Sequence, residues 1–548
     1  MQGMNPRVTL RTWRPLVMGR RGAVVANHPL AAEAGLAILR KGGNAVDAYI
    51  ATSSAIGVLE PHMSGIGGEG FALVYIADEG KAEVVNASGR APRRATRDQF
   101  PHGLPAYGPS TVITPALVAG WCALHARRGS LPLGELLESA VTYARDGFAA
   151  TQTFVRYAGE QADALAANPE AAEVFLPGGS PPVVGSVIRQ AGLARTLEAI
   201  GAGGWDAFYT GDSARALAAW MREHGGLLDE TDLRECRAEW QEPISVPYRG
   251  LEVLEAPPNS TGVTFLQELK LAEKFDLRSL CPGGRLPCDS PDLVHLLVEI
   301  KKLCFLDRER VADVGDPAAL SAQLLADTRV AELAGQIDLR RALACAVPAD
   351  MAPSDTTYLA VVDAAGNAVS GIQSLSDAFG ADVVAGDTGI LLNNRMRLWH
   401  LSESHPNTLK PGRRVRHTLN PPMALRDGRP YLVFGTPGFD AQLQVNLQTL
   451  TGIVDFDLDP QQAVEMPRWQ HLQPGTLATW PHACPDEIVV EAGIPEETRR
   501  ELQRRGHTVR VVGPLEGPGA VSALRFDPGS GFWHAGADPR RDNYALAW

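Results

Sequence analysis

The residues with the clearest chemical potential lie in 355-DTTYLAVVDAAGNAVSG-371. A Thr hydroxyl is a weak nucleophile at neutral pH. A Thr at the start of a chain, however, carries its own base, an α-amino group with an ordinary pKa of about 8. Using that base requires the peptide bond before the Thr to be cut. Thr356-Thr357 opens an apolar strand pattern and follows the Pro/Ser/Asp-rich stretch 346-AVPADMAPSD-355, the layout that a self-cleaving enzyme needs. A strand that merely begins with two β-branched residues has the same composition, so the pair by itself leaves both readings open.

Other motifs carry less. Gly65-x-Gly67-x-x-Gly70 matches the dinucleotide string, but a helix precedes it and a strand follows, the reverse of what pyrophosphate binding needs; it reads as a tight backbone loop. Asp455-x-Asp457-x-Asp459 has Pro460 where a calcium loop needs Gly and Met466 at its twelfth position, so it reads as a solvated acidic loop. His400 and His405 are five apart without a partner at metal spacing. There is no G-x-S-x-G elbow and no H-E-x-x-H. No metal and no organic cofactor is expected.

The elements that must position the Thr pair follow from periodicity and punctuation. The 22-GAVVAN-27 region of the chain reads as a strand, Pro29 starts a helix that stops at Gly42-Gly43, and a second helix runs from Asn44 to about Leu59. The apolar runs 71–77 and 82–88 flank a turn at 78–80. Residues 115–345 read as mainly helical, with stretches at 190–200, 214–223, 291–305 and 321–345. A β-rich segment then begins: a hairpin over 356–374, a strand at 431–434 and a helix from about Asp440.

Composition sets the frame. The chain has 548 residues, 45% hydrophobic and 21% charged, with a net charge of −12 and basic residues scattered along it. Mean hydropathy is −0.09. These are ordinary globular values, with no basic stripe for nucleic acid and no apolar run long enough to cross a membrane. The Arg-rich first twenty residues lack an apolar core, so no secretory signal is expected and the reading is cytoplasmic. Seven Cys (122, 236, 281, 288, 304, 345, 484) without a C-x-x-C fit buried reduced thiols.

The chain resembles the γ-glutamyltransferase family of N-terminal-nucleophile hydrolases. The likeness rests on the strip ending 44-NAVDA-48, on 61-PHMSGIGGEGF-71, 247-PYRG-250, 256-APPNSTG-262 and 307-DRERVADVGDP-317, and most strongly on 356-TTYLAVVDAAGNAVS-370 with Phe379-Gly380, 386-GDTGILLNNRM-396 and 435-GTPG-438. The resemblance implies a four-layer αββα sandwich, made as one precursor and cut before Thr356 into a large subunit 1–355 and a small subunit 356–548 that stay together as a heterodimer; higher assembly is left open. It implies Thr356 as nucleophile, Thr357 as the strand residue after it, and Ser374 as the hydroxyl that hydrogen-bonds the nucleophile's amine. Gly438 supplies one oxyanion-hole N–H, and Phe439 stands where the family has a second Gly. Thr418 and Asn420, in 416-RHTLNPP-422, fall on the family's Ser-rich strip beside the nucleophile, and Thr418, its neighbour His417, Arg90 and Thr357 are expected to bind substrate.

The departures fall on the groups that read a γ-glutamyl moiety. Ser88 stands where glutathione-processing members have a carboxylate-gripping Arg, with Arg90 two residues later. Asn393-Asn394-Arg395-Met396-Arg397-Leu398 replaces N-N-Q-M followed by an Asp. Two Arg disfavour an ammonium and favour an anionic acyl group, for which Arg395, with Asn394 in the same acyl pocket, is the expected anchor. These forms look more like the acylase and oxamate-amidohydrolase branch. The expectation is an amidohydrolase acting on a small acidic acyl amide. Alternatives are a true γ-glutamyl transferase or glutathione hydrolase, a C–C bond hydrolase using the same Thr, and an unprocessed binding protein.

Overall fold

The computed structural model describes residues 11–344, 355–472 and 486–548. The loop expected over 346–354, Cys345 and Cys484 lie outside them.

Two seven-stranded antiparallel sheets carry the fold. The first runs Tyr544–Ala547, Ala23–Ala26, Asp355–Val362, Ala368–Ser376, Glu69–Ile76, Lys81–Ala87, Glu239–Gln241; the second runs Val17–Gly19, Phe532–Ala537, Ser522–Asp527, Arg429–Gly435, Met423–Arg426, Leu251–Glu255, Ile244–Tyr248. Strand alternation explains the stacking. From Asp355–Val362, Tyr358, Ala360 and Val362 meet Met423, Val433 and Leu524 of the second sheet in a shared inter-sheet core. Leu359 and Val361 face the other way, onto helices that include Ala45–Leu59. The outer face of the second sheet is covered by Gly262–Ala272, Pro291–Arg308 and Ala441–Val454. The layers are therefore α, β, β, α.

Local signals act as expected at the N-terminal end. Pro29–Lys41 ends on Gly42 at φ 98°, and Ala45–Leu59 starts with a reciprocal cap in which Asn44 Oδ1 accepts from Val46 and Asp47 N–H while the Asp47 carboxylate accepts from Asn44 N–H. Two expectations need correction. The helical reading of 115–345 hides five strands, Phe148–Ala149, Val187–Ile188, Glu239–Gln241, Ile244–Tyr248 and Leu251–Glu255, and 321–345 is two helices, Pro317–Leu324 and Asp327–Ala334, broken at the extended Ala326. Asp455 is also not solvated: it is buried and accepts from Tyr248 Oη at 2.7 Å and Arg249 Nε at 2.9 Å.

Candidate active site

Thr356 sits at an irregularity between two central strands. Asp355 pairs with Ser376 and Thr357 with Gln373, so Thr356 faces both Ser374 and Leu375. A bulge of this kind re-aims a side chain, and here it places Thr356 Oγ1 3.4 Å from Ser374 Oγ, both buried. Arg541 Nη1 reaches the Thr356 carbonyl at 3.4 Å.

Ser374 is the meeting point of a second chain of contacts. Its Oγ accepts from Ser376 N–H at 2.8 Å and from Arg395 Nη2 at 2.7 Å. Arg395 is fully buried, and its Nε donates to Glu69 Oε1 at 2.5 Å. Glu69 is itself opposite Ser374 in the strand register and also accepts from Gly89 N–H at 3.1 Å. His417 Nε2 lies 3.0 Å from the same Glu69 oxygen while its Nδ1 accepts from Leu419 N–H, and its ring rests edge-on against Phe71. Burial alone would push the Glu69 carboxyl up; His417 and Arg395 reverse that and hold it at about 2. Burial lowers His417, which opposes Glu69's pull. The cluster therefore holds an ionised Glu69 against a charged Arg395.

The oxyanion-hole candidates sit where the strand Arg429–Gly435 leads toward the helix Ala441–Val454. Gly438 has φ 124° and Phe439 φ 54°, so the Phe occupies a left-handed conformation that favours Gly. Its ring is buried in an apolar cluster with Met396, Leu398 and Trp399, the residues just after Arg395. Thr418 Oγ1 is buried and has no hydrogen-bond partner among the described residues, which leaves it available to a ligand.

Other expected site residues are placed elsewhere. Thr357 points to the opposite sheet face from Thr356 and donates its hydroxyl to Glu60 Oε2 at 2.8 Å, which ties the strand to the helix-side layer. Asn394 is saturated by the Asp377 N–H, the Asp377 carboxylate and the Ala106 carbonyl, so it shapes the turn. Arg90 donates to Gly412 O and Glu239 on the rim of a cleft of about 440 Å³ lined by Ser88, Arg93 and Arg237, with no contact to Thr356 or Ser374. Leu398 is buried in the apolar cluster, and Arg397 is paired with Asp377. Arg395 does reach Ser374, but it brings its own counter-ion, Glu69; among the described residues only Nη1 of its guanidinium lacks an acceptor.

Sequence reasoning missed Glu69 and Arg541. A lone carboxylate opening the otherwise apolar 69-EGFALVYI-76 was a signal for Glu69. Glu309 lies with His400 and His405, and His295 with Glu299 and His507, at ligand-atom separations that spacing alone hides. Glu309 is already engaged by Arg416 at 3.2 Å and Glu299 by Lys302 at 3.0 Å.

Comparison with known proteins converges with this geometry. Residues 31–548 match the family described as Gamma-glutamyltranspeptidase. The chain is similar to the glutathione hydrolase-like YwrD proenzyme of Bacillus subtilis (39% identity, covering 97% of this chain and 99% of the relative) and to the acylase ACY 1 proenzyme of Pseudomonas sp. strain SE83 (35%, 95% and 93%). Among solved structures it is similar to cephalosporin acylase from Bacillus halodurans, with a TM-score of 0.89 at 35% identity over 100% of this chain and 99% of the other.

Proposed function

The chain belongs to the γ-glutamyltranspeptidase family of self-processing amidohydrolases and acylases, and we propose that Thr356 is its nucleophile, exposed by cleavage after Asp355. The observation that carries this is the irregular pairing that sets the Thr356 hydroxyl against Ser374 at the start of a central strand. In the precursor, Thr356 Oγ attacks the Asp355 carbonyl, the acyl group moves from nitrogen to oxygen, and water hydrolyses the ester, freeing the amine. In turnover, Oγ attacks the substrate amide carbonyl. The amine takes the hydroxyl proton and returns it to the leaving amine, while the N–H groups of Gly438 and Phe439 face the oxyanion; water then releases the acid. The acyl group is small and carries an acceptor, such as a carboxylate, for Arg395 Nη1 and Thr418. A cytoplasmic setting belongs to the same proposal, in keeping with the free thiols of Cys122, Cys236, Cys281, Cys288 and Cys304.

The 39% similarity to a glutathione hydrolase-like relative supports γ-glutamyl hydrolysis as a second reading. Ser88 and the buried Leu398 oppose it, because they leave the amino-acid end of such a substrate without two charged hydrogen bonds at about 1.5–3 kcal/mol each.

Mass spectrometry of the purified protein with a panel of dicarboxylic acid monoamides and glutathione is the test. Wild type is expected as chains 1–355 and 356–548 with an acyl adduct on Thr356, and Thr356→Ala as one uncut chain without adduct. Active but uncut wild type would sink the mechanism. Adducts from glutathione equal to those from simple acidic amides would select the second reading.

A further inference from the structure

Glu69 lies outside the machinery assigned above, yet it is the most heavily engaged carboxylate near the nucleophile. It is fully buried, ion-paired to Arg395, beside His417, and bonded to the Gly89 N–H. Through Arg395 it reaches Ser374, and through Ser374 it reaches Thr356. We infer that Glu69 is a positioning residue: it holds and neutralises Arg395 so that the Thr356 amine keeps a basicity suited to taking and returning a proton near neutral pH.

The inference rests on the reading that Thr356 becomes an N-terminus. Arg395 Nη2 is 2.7 Å from Ser374 Oγ, which is 3.4 Å from Thr356 Oγ1, so a full positive charge sits within two hydrogen-bond lengths of the nucleophile. Alone, that charge at about 6 Å in a protein interior would disfavour the ammonium form and lower the amine by on the order of one pH unit or more. An amine lowered in this way is a weaker base than one at its ordinary value of about 8. The Glu69 carboxylate, 2.5 Å from Arg395 Nε, cancels most of the field, while its pull keeps the guanidinium directed at Ser374. Arg395, Ser376 N–H and the Thr356 hydroxyl all donate to Ser374 Oγ, which fixes that oxygen beside Thr356.

Other charged groups face the same point. Arg541 lies on the Thr356 carbonyl, Glu60 accepts from the Thr357 hydroxyl on the opposite sheet face, the Arg397–Asp377 pair closes the end of the Ala368–Ser376 strand, and His417 is packed on Glu69. None is altered in the variants below, so they set a common baseline.

The test titrates the amine directly, without substrate. In protein labelled with nitrogen-15 at threonine alone, the cleaved enzyme has one threonine nitrogen that is an amine, and its chemical shift against pH gives the midpoint. Glu69→Gln is expected to lower the midpoint by about one pH unit, Arg395→Gln to raise it by a similar amount, and the double variant to restore it. Arg395→Lys, which keeps the charge, is expected to leave it near the wild-type value. A merely structural role would not give opposite shifts from the two partners. If Glu69→Gln does not fold, Arg395→Gln decides alone, since an unmoved midpoint there overturns the inference. Shifts in one direction, or none in a cleaved protein, overturn it and leave the catalytic reading standing. A wild type with no threonine amine overturns both.

Discussion

At the scale of single residues, Phe439 shows how a site tolerates an unexpected side chain. Left-handed backbone costs an L-residue about 1–2 kcal/mol, which a family Gly avoids. Phe439 bears that strain at φ 54° and in return buries its ring against Met396, Leu398 and Trp399. Emptying a buried aromatic site costs about 3–5 kcal/mol, more than the strain relieved. Phe439→Gly is therefore expected to lose about 1–4 kcal/mol by chemical denaturation, yet to self-cleave, because the backbone N–H proposed to face the oxyanion remains. A gain in stability would show that the ring contributes little to the cluster. The same cluster holds Leu398, so the position where glutathione-processing relatives would want an acidic group is here part of the apolar wall.

At the scale of elements, close approach of the loop before the Glu69–Ile76 strand is what brings Glu69 beside Ser374. A Cβ on Gly68 would lie 2.3 Å from the Ser374 carbonyl oxygen and 3.1 Å from that of Gly65, and neither backbone can give way cheaply. Gly68→Ala is expected to slow self-cleavage at least tenfold and to cost about 3 kcal/mol by overpacking, whereas Gly159→Ala, in a helix with open space around it, is expected to be neutral or slightly stabilising. Equal behaviour of the two would show that the Gly68 contact does not set the site. The elements were legible where the signal is local. The hairpin that carries Thr356 and Ser374 is closed by the turn at 364–367, and the helix caps at Asn44 and Gly42 lie beside the helices they bound. The strand Glu239–Gln241 was hidden because it is short and owes its state to its partner Lys81–Ala87, far away in sequence, whereas Ile244–Tyr248 and Leu251–Glu255 form a local hairpin around Arg249-Gly250 that the helical reading passed over. The Glu69–Arg395 pair, 326 positions apart, could not be read from spacing at all.

At the scale of the whole molecule, the proposed cleavage falls inside a structure that it cannot divide. In the first sheet, Asp355–Val362 pairs with Ala23–Ala26 on one side and Ala368–Ser376 on the other, and Ala368–Ser376 in turn pairs with Glu69–Ile76. In the second, Met423–Arg426 pairs with Leu251–Glu255, and Val17–Gly19 pairs with Phe532–Ala537. Each sheet thus contains strands from both sides of Thr356 hydrogen-bonded to one another, and the inter-sheet core mixes Val25, Phe71 and Leu254 with Tyr358, Met423 and Leu524. Neither chain holds a closed core of its own, and separating them would expose apolar surface at roughly 25 cal/mol per Å² together with unpaired strand edges. Cleaved protein is therefore expected to elute from size exclusion as one species containing both chains and to part only under denaturant. Segment 356–548 expressed alone is expected to be insoluble or unfolded by circular dichroism, and co-expression with 1–355 to rescue it. A soluble, cooperatively folded 356–548 would show that the small subunit is a domain in its own right, and that the shared sheets reflect packing between two independent cores.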